Sequence, residues 1–105
     1  LSELEDISFM PERDWDLPNR WLSVIQLSGK IPPMRIMEAL AAKNIDSRPV
    51  WKPMHMQPVF ADFDFIGSGV SQRLFENGLC LPSDTKMTDE DLGRICSVVK
   101  SVWSR

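Results

Sequence analysis

The sequence has no apolar segment near the roughly 20 residues that a membrane-spanning helix needs, and its first residues lack the basic start and apolar run of a signal peptide. It also lacks an excess of basic residues, because 12 Lys and Arg stand against 15 Asp and Glu, for a formal net charge of −3. A nucleic-acid-binding protein usually shows a basic excess. We therefore expect no membrane and no nucleic acid among its partners.

The chain is short, and it does not begin with methionine. It has 105 residues of ordinary globular composition, 43% hydrophobic and 26% charged. Domains cluster at roughly 100–150 residues, so we expect one domain over residues 1–105 with little room for an enclosed active site. The missing methionine suggests a processed or excised piece of a longer protein.

Cysteine and histidine are scarce. Cys80 and Cys96 lie sixteen residues apart among apolar neighbours, which predicts buried free thiols in a reducing compartment. His55 is the one histidine and has no ligand-type neighbours in sequence, so we expect no metal site. Gly67-Ser68-Gly69 fits neither a dinucleotide loop nor a nucleophile elbow, and Gly29-Lys30 lacks the upstream glycine of a phosphate-binding loop.

The charges are unevenly distributed. Residues 1–16 hold six acids against one arginine, whereas residues 29–55 carry five bases against two acids. Two interpretations stay open: ordinary solvated surfaces, or a small region around residues 48–55 that favours anions.

Apolar periodicity, prolines and glycines predict an α+β domain of two layers, in which a short, mainly antiparallel sheet packs against helices. We expect an irregular lead-in over residues 1–18 and then the order β-α-β-loop-α-β-α. The predicted elements are a strand over 20–27, a helix opened by the prolines at 32 and 33, an edge strand over 49–52, a helix over 70–77 that Gly78 stops, a strand over 79–81 and a C-terminal helix.

The C-terminal helix has the clearest start signal. Thr88 is a preferred N-cap residue, and Asp91 stands at the capping-box spacing, with Asp in place of Glu. The acids at 89–91 favour the helix dipole. One apolar stripe is predicted to pack on the sheet, formed by Leu92, Ile95, Cys96, Val99, Val102 and Trp103.

Residues 47–60 (SRPVWKPMHMQPVF) concentrate the side chains that could contact a ligand. Arg48 offers a fork of donors suited to phosphate, Lys52 a point charge and His55 a donor or an acceptor. Trp51 offers an apolar face on which a base or sugar can rest, and the prolines restrict the loop. A ligand-contacting loop and a proline-stiffened structural loop are both compatible with this composition.

The same stretch resembles a known family. Arg48-Pro49-Val50-Trp51-Lys52-Pro53-Met54-His55, followed by Gln57-Pro58-Val59-Phe60, resembles the C-terminal small domain of the DegT-type sugar aminotransferases. These are pyridoxal-phosphate enzymes of the aspartate-aminotransferase fold, and the nearest branch aminates nucleotide-linked 4-keto-6-deoxy sugars for surface glycans. Residues 19–22, 74–75, 78–83 and 88–91 agree in order, so the resemblance covers nearly the whole chain.

The resemblance implies the chemistry of a parent enzyme. That enzyme would use pyridoxal 5'-phosphate, held through a Schiff-base lysine in a large N-terminal domain, to transfer an amino group from an amino-acid donor to a nucleotide-linked keto-sugar. None of the five lysines here stands in the family's Schiff-base motif. The resemblance therefore implies a fragment without catalytic residues, inactive alone, from a cytoplasmic and homodimeric parent.

The resemblance also implies that the loop over residues 48–56 borders the substrate cleft. Arg48 and His55 would be polar contacts, with Trp51 and Met56 as walls. Many relatives have tyrosine where this chain has Trp51, and the exchange leaves an indole donor in place of a phenolic hydroxyl. Lys52 is expected to point away from Trp51, because neighbouring residues of an extended segment face opposite sides.

Two other functions remain compatible with the sequence. One is a non-catalytic α+β module that binds a phosphorylated ligand or a partner protein through the same loop. The other is part of a related cofactor-dependent sugar dehydratase, since some relatives replace the Schiff-base lysine and eliminate water instead.

Overall fold

The computed structural model describes residues 1–104. Its four strands form one antiparallel sheet in the spatial order β1-β2-β4-β3. The strands are β1 (Ile7–Phe9), β2 (Ser23–Leu27), β3 (Arg48–Pro49) and β4 (Gly78–Leu81), and the helices are α1 (Pro33–Ala41), α2 (Val70–Asn77) and α3 (Asp89–Trp103). The predicted α+β class and antiparallel sheet are confirmed.

The core lies between one face of the sheet and the pair of helices α1 and α3. Its fully buried side chains are Ile25, Ile36, Leu40, Leu79 and Val99. Residues that alternate with the core positions face the opposite side, where the Gln26 Nε2 donates to the Leu74 carbonyl of α2 at 3.1 Å. Helix α2 therefore covers part of the second sheet face, and β4 is buried along its whole length.

Helix α3 begins as the sequence predicts. The Asp91 backbone N–H donates to the Thr88 Oγ1 at 3.2 Å, and the Thr88 backbone N–H donates to the Asp91 Oδ2 at 2.9 Å. This reciprocal pair is a complete capping box. The predicted stripe is correct at Ile95 and Val99, which are buried, but Leu92 lies 45% exposed.

The lead-in is more ordered than predicted. Residues 7–9 form β1, which pairs with β2 in the register Ile7↔Leu27. Two distant bonds hold it in place: Ser28 N–H donates to the Asp6 carbonyl at 3.0 Å, and the Trp103 indole N–H donates to the Glu5 carbonyl at 3.2 Å. The expectation of an irregular segment over 1–18 is therefore wrong for residues 7–9, because these contacts come from residues remote in sequence.

Three element boundaries also differ from prediction. Strand β2 begins at Ser23 rather than residue 20, because Arg20 takes a left-handed φ of 53°. Strand β3 is an edge strand, as predicted, but covers only residues 48–49. Gly78 ends α2 in an extended conformation and becomes the first residue of β4.

No helix formed within residues 1–104 combines the length and the apolar character needed to cross a bilayer.

Two glycines provide a matched test of the packing. A Cβ at Gly93, on the exposed side of α3, would meet nothing within 4 Å, whereas a Cβ at Gly78 would lie 2.5 Å from the Leu74 carbonyl oxygen. Gly93→Ala should raise the free energy of unfolding by about 0.5–1 kcal/mol. Gly78→Ala should lower it by about 1–3 kcal/mol, because backbone atoms must shift. Urea denaturation measures both, and equal effects would contradict this packing.

The capping box predicts a pH dependence. Hydrogen bonds from the Thr88 backbone N–H, and then from its hydroxyl, lower the pKa of Asp91 below its ordinary value. The ionised carboxylate therefore contributes stability above that ordinary value, and this contribution is lost as the pH falls through the lowered pKa. Asp91→Asn should destabilise the domain at about pH 6 and have less effect below about pH 3.5. Thr88→Ser should keep the wild-type pH dependence, and a constant cost of Asp91→Asn across this range would contradict the prediction.

Candidate functional site

A wide groove lies where β3, the end of β4 and the first turns of α3 meet. Its volume is about 960 Å³, which is within the range of small-molecule sites. Two of the predicted site residues, Arg48 and Trp51, line it. Most of the remaining wall is apolar and is formed by Leu22, Ile45, Val50, Phe75, Leu81, Pro82 and Met87.

Two tryptophans form the exposed lip of this groove. The ring centroids of Trp21 and Trp51 lie 6.1 Å apart with the planes tilted by 41°, and the residues are 71% and 65% exposed. Trp21 follows a tight turn in which its backbone N–H donates to the Asn19 Oδ1 at 3.1 Å. The gap between the rings is too narrow for a third ring, which needs about 3.5 Å on each side. A planar ligand would therefore stack on an outer face of the pair.

Arg48 reaches the groove from the edge strand. Its guanidinium makes two bonds to one oxygen of Asp46, from Nε and from Nη2, each 3.0 Å long. Both side chains are largely exposed, so the pair contributes little stability. It does restrict the orientation of the guanidinium, whose remaining donors are available to a ligand.

Lys52 and Trp51 both line the groove, although the alternation of an extended segment predicts opposite directions for their side chains. The chain leaves β3 after Pro49, and the alternation of a strand no longer governs these two side chains. Among residues 1–104, the salt bridges do not include Lys52. Lys52 is exposed, so it adds a positive charge to this part of the surface, and no carboxylate of the described chain forms a salt bridge with it.

The other charged residues of the groove are engaged in the structure of the domain. The Arg94 guanidinium donates to the Lys43 carbonyl, and Asp91 belongs to the capping box. Cys80 lies on the groove wall, and burial raises the pKa of its thiol. Because the thiolate is the reactive form, this cysteine is suited to packing rather than to nucleophilic chemistry.

His55 lies in a second, smaller cavity of about 430 Å³. The loop that follows β3 forms two single turns of 3₁₀-helix, Met54–Met56 and Pro58–Phe60. The imidazole of His55 stacks on Phe65 with ring centroids 3.8 Å apart, and its Nε2 is buried without a hydrogen-bond partner. A buried polar atom without a partner is unusual in a folded protein.

The four predicted site residues are therefore not brought together in one place. Arg48 and Trp51 share the groove, His55 lies in the second cavity, and Met56 is half-buried and belongs to the wall of neither. Sequence reasoning missed Trp21 as a partner of Trp51, because its apolar side chain was assigned to a strand. The asparagine two residues earlier indicates a turn before Trp21, since Asn often forms such turns, but it does not indicate the contact with Trp51.

Metal binding finds no support within residues 1–104, where the structure has no group of three or more His, Cys, Asp or Glu side chains that could hold a metal ion.

Comparison with known sequences gives one family. The model of the DegT/DnrJ/EryC1/StrS aminotransferase family matches residues 1–100. The chain is 39% identical to EpsN of Bacillus subtilis, assigned as a pyridoxal phosphate-dependent aminotransferase, over 94% of this chain and 26% of EpsN. It is 27% identical to the GDP-perosamine synthase of Caulobacter vibrioides, over 78% of this chain and 23% of that protein. The chain thus spans about a quarter of the length of these relatives.

Comparison with solved structures supports the same fold. The aminotransferase TlmJ from Streptoalloteichus hindustanus superposes with a TM-score of 0.83 at 16% identity, covering 99% of this chain and 28% of TlmJ. An identity this low shows likeness of fold alone, whereas the family model matches almost the whole sequence. The chain therefore belongs to the DegT/DnrJ/EryC1/StrS aminotransferase family.

Proposed function

We propose that this chain forms one wall of the substrate cleft of a pyridoxal phosphate-dependent aminotransferase that aminates a nucleotide-linked keto-sugar for glycan biosynthesis. Family membership supports the reaction class, and the name of the Caulobacter relative supports a nucleotide-linked sugar. The observation that carries the proposal is the groove that combines paired, exposed tryptophans with Arg48 and Lys52. A nucleotide needs a flat apolar surface for its base and positive charge for its phosphates.

The groove residues divide these tasks. An outer face of Trp21 or Trp51 accepts the base by offset stacking. Arg48 donates to phosphate oxygens with the guanidinium donors that Asp46 does not occupy, and Lys52 adds a mobile point charge. In this proposal His55 contacts a hydroxyl of the sugar and Met56 supports the loop from behind.

The cofactor itself does not fit the described residues. Pyridoxal phosphate supplies the electron sink for amino-group transfer and needs a lysine for its aldehyde. The amine of such a lysine must be neutral to react, so its pKa must be lowered. Burial or a neighbouring cation has this effect. All five lysines of this chain are exposed, at positions 30, 43, 52, 86 and 100. We infer that the cofactor is held mainly by an N-terminal domain of the parent enzyme, which would be a homodimer in the cytoplasm.

The 105-residue chain should therefore be inactive alone. Mixed with pyridoxal phosphate, an amino-acid donor and a keto-sugar nucleotide, it should release no aminated sugar above the rate without protein. Its absorption spectrum should match free cofactor with exposed lysines. Chromatographic detection of the aminated sugar measures this, and turnover by the purified chain would contradict the proposal.

In the longer enzyme, removal of groove contacts should weaken sugar-nucleotide binding selectively. Arg48→Ala should raise the KM for the sugar nucleotide by about tenfold, as expected for one charge-assisted hydrogen bond at a partly solvated site. Trp51→Leu should raise it by several-fold through lost stacking. The KM for the amino donor should change little in either variant, and steady-state kinetics with each substrate varied in turn separates the two effects.

The lead-in provides matched controls. Arg13 lies over the ring of Trp15 at 5.6 Å from its centroid, and Trp15 is 76% exposed, so this pair has the same residue types away from the groove. Arg13→Ala and Trp15→Leu should leave both KM values near wild type. An unchanged KM for the sugar nucleotide in the Arg48 and Trp51 variants would contradict the proposal and indicate that the loop has only a structural role.

A further inference from the structure

The contact between His55 and Phe65 is at odds with the role that His55 has in the proposed function. The two rings stack at 3.8 Å with planes 21° apart, and the Nε2 atom is buried without a partner. In this arrangement the Nε2 atom cannot form a hydrogen bond with a ligand, because it is buried. His55 must leave the stack before its Nε2 can bind a sugar hydroxyl.

Phe65 lies in an exposed segment of the chain. Residues 61–68 are all exposed, and Phe65 itself is 47% exposed although its ring is large and apolar. The ring lies close against Gly67, where a Cβ would come within 2.4 Å of the Phe65 Cζ. The absence of a side chain at position 67 therefore makes room for this ring position.

We propose that Phe65 is a positioning residue. It holds His55 in the ring stack, an orientation unable to bind substrate that we call the stowed state, and it releases His55 when a sugar hydroxyl binds. This inference rests on the proposed function of the same site. The stowed state gains a ring stack, and it leaves one imidazole nitrogen without a hydrogen bond. These two effects oppose each other. The structure shows the stacked state, so the stack outweighs the lost hydrogen bond, and a ligand that supplies the missing hydrogen bond can shift the equilibrium.

Stowing has a measurable consequence for binding. When only a fraction of molecules has the competent side-chain orientation, the apparent dissociation constant is the intrinsic value divided by that fraction. Removing the stack should therefore improve binding of the sugar nucleotide. This direction is diagnostic, because damage to the fold or to a contact would weaken binding instead.

The contact can be observed directly in the 105-residue chain. His55 is the one histidine in the sequence, so its carbon-bound imidazole protons give a single pair of NMR signals. Stacking on Phe65 should move these signals upfield of their random-coil positions. Phe65→Leu and Gly67→Ala should both return them towards random coil, the second without altering either ring. Phe9→Leu is the control, because Phe9 is 44% exposed on β1 and lines neither the groove nor the His55 cavity.

The functional arm uses the longer enzyme that carries this chain. Phe65→Leu and Gly67→Ala should each lower the KM for the sugar nucleotide by about three- to tenfold, the factor that one aromatic stack corresponds to. The kcat and the KM for the amino donor should stay near wild type. Phe65→Tyr keeps the stack and should behave as wild type, as should Phe9→Leu. In a His55→Ala background, Phe65→Leu should have no further effect.

Each result supports or overturns the inference. A raised or unchanged KM in Phe65→Leu, or the same KM change with and without His55, would overturn it, as would wild-type imidazole signals at random-coil positions. If His55→Ala raises the KM while Phe65→Leu leaves it unchanged, the proposed function stands and only the stowing role fails. If His55→Ala leaves sugar kinetics unchanged, the proposed role of His55 fails and the stowing role with it.

Discussion

The burial of strand β4 is the constraint on which the rest of this domain depends. All four of its residues are buried, and it pairs with β2 on one side and β3 on the other. Leu79 and Leu81 belong to the core, and Cys80 and Leu81 also line the groove. Gly78 opens the strand where Gln26, Val50 and the Leu74 carbonyl leave no space for a Cβ. A strand this crowded fixes the position of every element that touches it.

The groove is a direct result of that position. Arg48 lies opposite Cys80 and Pro49 opposite Leu79, so the edge strand is aligned by two residue pairs. The prolines that follow prevent a longer ladder, because proline has no N–H to donate. Trp51 and Lys52 follow the end of the strand, and both line the groove. The later prolines precede or begin two short 3₁₀ turns. A side-chain set typical of ligand binding is thus displayed on a loop of restricted shape.

Local signals in the sequence predicted the elements that depend on local chemistry. The capping box located α3, the paired prolines located α1, and a short apolar run located β4. Strand β1 could not be found in this way, because its order depends on bonds to Ser28 and Trp103, which are remote in sequence. The same distinction between local signals and distant contacts applies to the candidate site. The loop was identified from composition, whereas the Trp21–Trp51 pair and the His55–Phe65 stack are tertiary contacts that no local pattern encodes.

The separation of the groove from the His55 cavity bears on specificity. Stacking and charge in the groove would recognise a base and phosphates, features that all sugar nucleotides with that base share. A hydrogen bond to a sugar hydroxyl discriminates more sharply, because a ligand without the hydroxyl leaves a polar group unpaired. Trp51 and His55 lie four residues apart on a loop ordered by its own backbone bonds. In the proposed function, a ligand held in the groove extends its sugar towards His55, and the ordered loop lowers the entropic cost of this second contact. Affinity and discrimination would then arise from different parts of one loop, with the stowed imidazole engaged only by a sugar that completes its hydrogen bonding.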